Sequence, residues 1–462
     1  MKKLILLITF SCTINFGNIK AQNNEDCIQN LSIFVESAKV KNYDMAFDPW
    51  MKVRNDCPDI NLAIYVYGER ILKDRIKKGS KEIADISKID LLKLYDQWIK
   101  FFPKKRGVSK VGDILSNKAQ FMIENKIGNN SEIYSQFDLA FTSDLKSFTN
   151  PKRLYSYFKT LYEIYKSGEQ KITTEILFNK YEEISEKFEI ESKNLAKKLD
   201  VIINKEQNGE VLSNKELRRK KIYDVNSNAI GTYLSNLETI ISKESSCENL
   251  IPLYRRNFDN NKNDIVWLNR AASRMDAKEC SDDPLFVTLV EQLHALEPSA
   301  DSAYYLGFLN DKKGNNKQAL NYYEESIKLE TDPYKKAKIL YKIALKFKAK
   351  GRKSTARNYA FKALKFQPSL GRAYLLIANL YASSANNCGN TQFEKRSVYW
   401  LAAQTARKAS KVDASVKRLA IKTANSYEGR APSKTDIFTE GNEGASINFS
   451  CWISRSVKVP KL

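Results

Sequence analysis

The chain has one histidine among its 462 residues, His294, inside the helix-patterned run FVTLVEQLHALEP. An imidazole that moves protons in a triad needs a nucleophile on one side and an orienting carboxylate on the other. No serine here sits in a nucleophile-elbow motif, and a lone helical histidine usually fills a surface or a core. Gly351-Arg352-Lys353-Ser354-Thr355 has the residue types of a phosphate-cradling loop. It lacks the Gly-Lys pair, the upstream glycine and the preceding strand of such a loop, so it reads as a turn between helices. Acidic pairs such as Glu182-Glu183 fall on a solvated helical face. Zinc would require cysteines and histidines clustered at short spacing, a pattern missing from the sequence. The expectation is a protein without enzymatic activity, cofactor or metal.

The cysteines suggest a different chemistry. Lys2-Lys3 precede the apolar LILLITF, and Ile19-Lys20-Ala21 offers a cleavage site before Gln22. This is the pattern of a secretory signal peptide over residues 1–21, too short to span a bilayer as a helix. No other segment approaches 18 uninterrupted apolar residues, so the mature chain is expected to be soluble. The alternative is a lipoprotein anchored at Cys12, although Thr9-Phe10-Ser11 lacks the aliphatic residue that such processing prefers. A composition dominated by lysine, asparagine and isoleucine fits a bacterial source, which makes the expected destination the periplasm.

Without the leader six cysteines remain: Cys27, Cys57, Cys247, Cys280, Cys388 and Cys451. Six allow 15 connectivities, and sequence alone does not choose among them. Helix geometry favours one set. Cys27 stands before the first helix of a pair and Cys57 after the second, ends that antiparallel helices bring together. Cys247 and Cys280 bracket another such pair, which leaves Cys388 with Cys451. A bridge closing about 30 residues stabilises by roughly 3–4 kcal/mol on the chain-entropy argument.

Charge narrows the partners. The formal net charge is +22, or +19 once Lys2, Lys3 and Lys20 leave with the leader. No acidic residue occurs between Asp332 and Glu394, while Lys335 to Arg372 holds 13 lysines and arginines. Inside a cell that would suggest nucleic acid, and export argues against it. Acidic protein segments, peptide carboxylates, lipopolysaccharide phosphates and membrane surfaces remain, beside a merely solvated face.

The elements that must carry these residues are helical. Ser299–Glu330 and Lys336–Pro368 read alike: Gly314 and Gly351 lie 37 residues apart, as do Ala319 and Ala356. In each, two amphipathic runs flank the glycine, with Ala303, Leu306, Gly307 and Asn310 on one face before it and Ala319, Tyr323, Ser326 and Ile327 after it. The second copy has Leu340, Ile343, Ala344 and Phe347, then Ala356, Ala360, Ala363 and Leu364. Such a unit cannot bury its apolar face alone, so copies must stack. The pattern resembles the tetratricopeptide repeat, through Leu306-Gly307, Ala319, Tyr323 and Ser326, and through Ile343-Ala344, Phe347, Ala356, Ala363 and Pro368. It departs from that family in its spacing, 37 against 34, and in lacking the early tryptophan.

A third copy spans Tyr374–Ser410, and weaker ones lie near the start, with Phe34, Ala46, Trp50 and Pro58, then Gly68 onward to Pro103. Between them Thr173–Asn204 and Asn214–Ser242 predict a long antiparallel helical hairpin, a spacer or a docking arm. Ala414–Tyr427 resembles a capping helix, and GASINFSCWISRSVKV alternates as a short strand or two would. The expected organisation is a leader (1–21), degenerate repeats (22–170), a hairpin spacer (171–245), a repeat solenoid (246–429) and a capping tail (430–462). The fold class is all-α, and the resemblance implies a right-handed superhelix of antiparallel helix pairs.

The resemblance also implies a peptide groove along the first helix of each repeat. Carried over, it takes Tyr304 and Phe308 from one unit and Lys338, Tyr341, Leu345 and Lys348 from the next. Arg372, Leu375 and Asn379 come from the third. The function it implies is a periplasmic scaffold binding envelope proteins or peptides, in secretion, outer-membrane assembly or motility. The alternative is a peripheral envelope protein whose basic face binds lipopolysaccharide, peptidoglycan or anionic membrane.

Overall fold

A computed structural model describes residues 16–168 and 171–462, with side chains from residue 25 onward. The expected leader through residue 15, with Cys12, lies outside the described residues, and the backbone is helical from Phe16. Twenty α-helices and two short antiparallel ribbons make up the described chain, so the fold is all-α. It divides into two compact units, up to Ile164 and from Tyr165 to Leu462. No described helix is long and apolar enough to cross a membrane.

The first unit holds α1 (Phe16–Lys39), α2 (Tyr43–Asp56), α3 (Ala63–Lys78), α4 (Lys81–Phe101), α5 (Val111–Asn125), α6 (Asn130–Ser143) and the start of α7 (Pro151–Ser167). A ribbon, β1 (Lys104–Lys105) and β2 (Val108–Ser109), interrupts the helices after α4. The helices pair in sequence order, α1 with α2, α3 with α4 and α5 with α6. Trp50 locks the first two pairs: it is fully buried and its Nε1 donates to the Ile64 carbonyl at 2.7 Å. Gly68 is where α3 passes over that ring, since a Cβ there would come within 2.6 Å of the indole. Cys27, inside α1, is bonded to Cys57 at the C-terminal end of α2, with Cα atoms 6.3 Å apart.

The second unit begins with two long helices, α8 (Thr174–Gln207) and α9 (Asn214–Ser242). Thr173 caps α8, and a reciprocal Ser213–Glu216 box caps α9. Leu177, Tyr181, Ile184, Phe188, Leu195, Leu199 and Ile202 are all buried, as the three-and-four spacing requires. Then come α10 (Cys247–Asn261), α11 (Ile265–Ala277), α12 (Pro284–Leu296), α13 (Ala300–Lys312) and α14 (Asn316–Leu329). The array continues as α15 (Pro333–Ala349), α16 (Lys353–Phe366), α17 (Gly371–Ala382), α18 (Gln392–Val412), α19 (Lys417–Glu428) and α20 (Lys434–Glu440). The tail ends in β3 (Ser446–Phe449) and β4 (Arg455–Lys458), paired from Ser446 opposite Lys458 to Phe449 opposite Arg455.

The matching glycines of the two strongest repeats now have a cause. Gly314 (φ 80°) and Gly351 (φ 72°) end α13 and α15 in the left-handed region, which a side chain disfavours. Small residues allow the close crossings: a Cβ on Gly307 would meet Tyr323 at 2.6 Å. Ser326 spans the same crossing, its hydroxyl donating to the Ala300 carbonyl at 2.6 Å. Ala319 and Ala356 are buried at equivalent places. Ala356→Leu is expected to cost about 1–3 kcal/mol by overpacking the α15–α16 contact. Urea unfolding checks this, and a neutral result would mean that those helices meet along another face. Cys247 is bonded to Cys280 and Cys388 to Cys451, each pair with Cα atoms 5.4 Å apart.

Candidate functional site

The nine residues singled out from the sequence separate into two groups. Tyr304 and Phe308 are buried at 1% and 9% exposure. Lysines of the following repeat roof their rings, Lys342 Nζ 5.0 Å from the Tyr304 centroid and Lys346 Nζ 3.6 Å from that of Phe308. Lys338 is held by Glu189 of α8 at 2.5 Å. Tyr304 and Phe308 are thus off the open surface, whereas Lys338 is exposed and its charge is engaged by an equally exposed Glu189.

The other six, Tyr341, Leu345, Lys348, Arg372, Leu375 and Asn379, line one groove of about 560 Å³. α15 and α17 lie side by side and contribute one wall. The opposite wall comes from Gly231 and Ser235 of α9 and from Leu419, Thr423 and Tyr427 of α19. Two close approaches fix this shape. A Cβ on Gly231 would come within 2.8 Å of Ser415, and one on Gly371 within 2.6 Å of Asp413. Asp413 also accepts the Gly371 N–H at 3.2 Å and caps the turn at Ser415, at 2.9 Å. The start of α17 is thereby pinned to the turn before α19, which sets Arg372 and Leu375 facing Leu419.

The groove is apolar and cationic. Leu345 and Leu419, on opposite walls, are 38% and 57% exposed and leave aliphatic surface open in the groove. Its lining contains no acidic residue. Lys348 and Arg372 form no ion pair among the described residues, although Arg372 acts on the buried Asp413 carboxyl nearby, opposing the lift that burial gives its pKa. Burial raises the Tyr341 phenol above its ordinary pKa, with Arg372 pulling the other way, so the ring stays a neutral donor at physiological pH.

The rest of the acid-free stretch is less free than its sequence suggests. Lys346 pairs with Asp276 at 3.0 Å and Lys350 with Asp311 at 2.6 Å. Lys353 donates to the Ser383 carbonyl at 2.6 Å, and Arg357 to that of Ile453. The acids and carbonyls come from other repeats and from the tail, so folding neutralises part of the run.

His294 Nδ1 lies 2.9 Å from Ser302 Oγ, and the ring meets Tyr322 edge-on, a capping contact between α12 and α13. Gly351–Thr355 forms the turn and first residues of α16. No cluster of three or more potential metal ligands occurs among the described residues. The sequence reading missed the wall from α9 and α19, because those residues are remote from the repeats along the chain. Gly231, a glycine inside a long helical pattern, was the available sign of a close backbone approach.

Antiparallel helix pairs stacked through small residues define a helical-repeat solenoid. No protein-family model matches the chain. The photosystem I assembly protein Ycf3 of Cuscuta gronovii is 29% identical over 121 residues, 24% of this chain and 72% of that protein. That of Cuscuta obtusiflora is 30% identical over 112 residues, 22% of this chain and 67% of its own length. That of Sorghum bicolor is 32% identical over 100 residues, 20% of this chain and 58% of its own length. The chain belongs to the tetratricopeptide-repeat family. The crystal structure of yeast Tom70 aligns over 92% of this chain and 94% of that one, at 11% identity and a TM-score of 0.30, too low to speak for a shared arrangement.

Proposed function

We propose that this protein is a non-enzymatic scaffold that holds acidic segments of other proteins in the groove between α15, α17 and α19. The observation that carries this is the pairing of open aliphatic surface at Leu345 and Leu419 with two cations outside any salt bridge, Lys348 and Arg372, and no lining carboxylate. An extended segment there could bury an apolar side chain while its carboxylates take charge-assisted hydrogen bonds. The relatives' name, an assembly protein, suits a role in bringing proteins together.

We place the scaffold outside the cytoplasm of a bacterium, in the periplasm. The basic leader-like start and the three disulfides support this, since such bonds persist in oxidising compartments. Envelope proteins, in secretion, outer-membrane assembly or motility, are then its partners.

Cross-linking in intact envelopes tests the proposal, comparing wild type with Lys348→Glu/Arg372→Glu. Lys338 is left unchanged because Glu189 already occupies it. Proteins captured by wild type and lost in the variant are the expected outcome. An unchanged catch would remove the groove as the docking site. Capture of lipopolysaccharide or peptidoglycan in place of protein would favour a basic envelope-binding face.

A further inference from the structure

The first unit contains a second cationic cavity, built on a feature absent from the repeats. Between α4 and α5 the ribbon pairs Lys104 with Ser109 and Lys105 with Val108. Its two turn residues, Arg106 (φ 51°) and Gly107 (φ 78°), are both left-handed, as a two-residue hairpin turn of this hand requires. Asparagine or glycine suits the first of these positions, and an arginine there is uncommon. The tip thus presents the Arg106 side chain from a left-handed turn, beside Lys104 and Lys105.

The ribbon borders a cavity of about 810 Å³, within the range of ligand sites. Its apolar lining includes Leu62, Val66, Trp98, Phe102 and Ile114. Tyr65 braces it from behind, with ring centroids 6.1 Å from Trp98 and 5.6 Å from Phe102.

Both carboxylates that reach the cavity are already engaged. Glu69 accepts from Lys73 at 2.6 Å, Asn117 at 2.8 Å and the Tyr95 hydroxyl at 2.9 Å. Asp113 pairs with Arg153 at 2.7 Å. Lys104, Lys105, Arg106 and Lys110 also line the cavity, and their side chains have no ion pair or hydrogen bond among the described residues. Four uncommitted cations therefore share an apolar cavity with no uncommitted acid.

We propose that this cavity is a second peptide-binding site, taking an acidic polypeptide segment that carries an apolar side chain. Free phosphate would use the cations and leave the apolar lining wet. A lipid surface would need apolar groups that project into it, whereas Leu62, Val66, Trp98 and Phe102 are half-buried and Ile114 is 4% exposed. A peptide satisfies both parts, its carboxylates meeting the ribbon and its apolar side chain the lining.

The test uses the full chain carrying Lys348→Glu/Arg372→Glu, so that failure here and failure of the α15–α17 groove remain distinguishable. The probe is a fluorescein-labelled peptide of alternating acidic residues around a central Leu-Phe pair, followed by anisotropy. Saturable binding is expected. Adding Lys105→Glu/Arg106→Glu at the solvent-facing ribbon should weaken it by roughly tenfold, since reversed charges repel the ligand. Replacing Leu-Phe by Ser-Ser in the probe should weaken it as well, with no change to the protein. Unchanged affinity in either comparison overturns the proposal. So does binding of phosphatidylglycerol vesicles or inorganic phosphate that is lost in the ribbon variant while the peptide fails to bind.

Discussion

Arg274→Met destabilises the second unit by about 3–5 kcal/mol, the cost of leaving a buried carboxylate without its partner. Glu182 is not on the solvated face expected from the sequence: Arg274 and Glu182 are 6% and 17% exposed in their side chains and meet at 2.5 Å, because α11 packs an arginine onto that face of α8. The guanidinium also lies 4.0 Å from the centroid of Tyr181, whose hydroxyl donates to Glu238. One arginine of α11 thus ties together α8 and α9. Burial lifts the Glu182 carboxyl above its ordinary pKa of 4.5, and Arg274 opposes that lift. Without Arg274 the folded value rises further. A raised folded pKa means that the penalty is fully present above that value and disappears as pH falls below the unfolded one. The deficit of Arg274→Met against wild type should therefore narrow from pH 7 towards pH 4 in urea titrations. Glu182→Leu/Arg274→Met should recover most of the loss, because apolar substitution of both partners removes the orphaned charge. A single variant as stable as wild type would mean that water reaches Glu182 and the pair is dispensable.

Cys388→Ser/Cys451→Ser is expected to cost about 4 kcal/mol, since this bridge closes the longest of the three loops, with a sequence separation of 63. The cost should fall on the tail that it holds. Phe449, Ile453, Val457 and Val459 are buried there. Trp452 donates to Ser384 at 3.1 Å, packs 6.0 Å from Tyr381 and lies under Arg357 at 5.1 Å. Loss of the bridge leaves those contacts to hold the tail alone. The comparison is the urea midpoint of the oxidised wild type against the variant, with protease cleavage near Ser454 as a local readout. Equal midpoints, together with free thiols at both positions in non-reduced wild type, would show that the two cysteines are not joined.

Much of this architecture was legible in the chain because local rules and packing agree. The 37-residue spacing of Gly314 and Gly351 reflects left-handed helix ends, and alanines at matching offsets mark where helices cross. The hairpin was visible as two uninterrupted apolar stripes, observed over Thr174–Gln207 and Asn214–Ser242. Helix-pair ends pointed to Cys27–Cys57 and Cys247–Cys280 and elimination to Cys388–Cys451, the pairs the structure joins, although Cys27 lies inside α1 and not before it, because that helix starts at Phe16. The groove was only partly legible. Tyr304 looks like an open ring until Lys342 lies over it, and Lys338 looks like a free cation until Glu189, 149 residues away, takes it. The ribbon at Lys104–Ser109 gave no periodic signal, because two residues a strand are too few to alternate.

The position of α8 changes how a repeat array can come apart. In a simple array each repeat meets only its neighbours, so the ends fray and stability is nearly a sum of local terms. Here α8 bonds to Arg274 across 92 residues, to Lys338 across 149 and to the backbone of Ser369 across 169. One helix is a common strut for repeats that otherwise would open one at a time. Melting any of them strands polar groups on α8 that the others rely on for its placement. The second unit should lose its structure in a single cooperative event, and fold more slowly than a neighbour-only array, because its stabilising contacts must first close long loops.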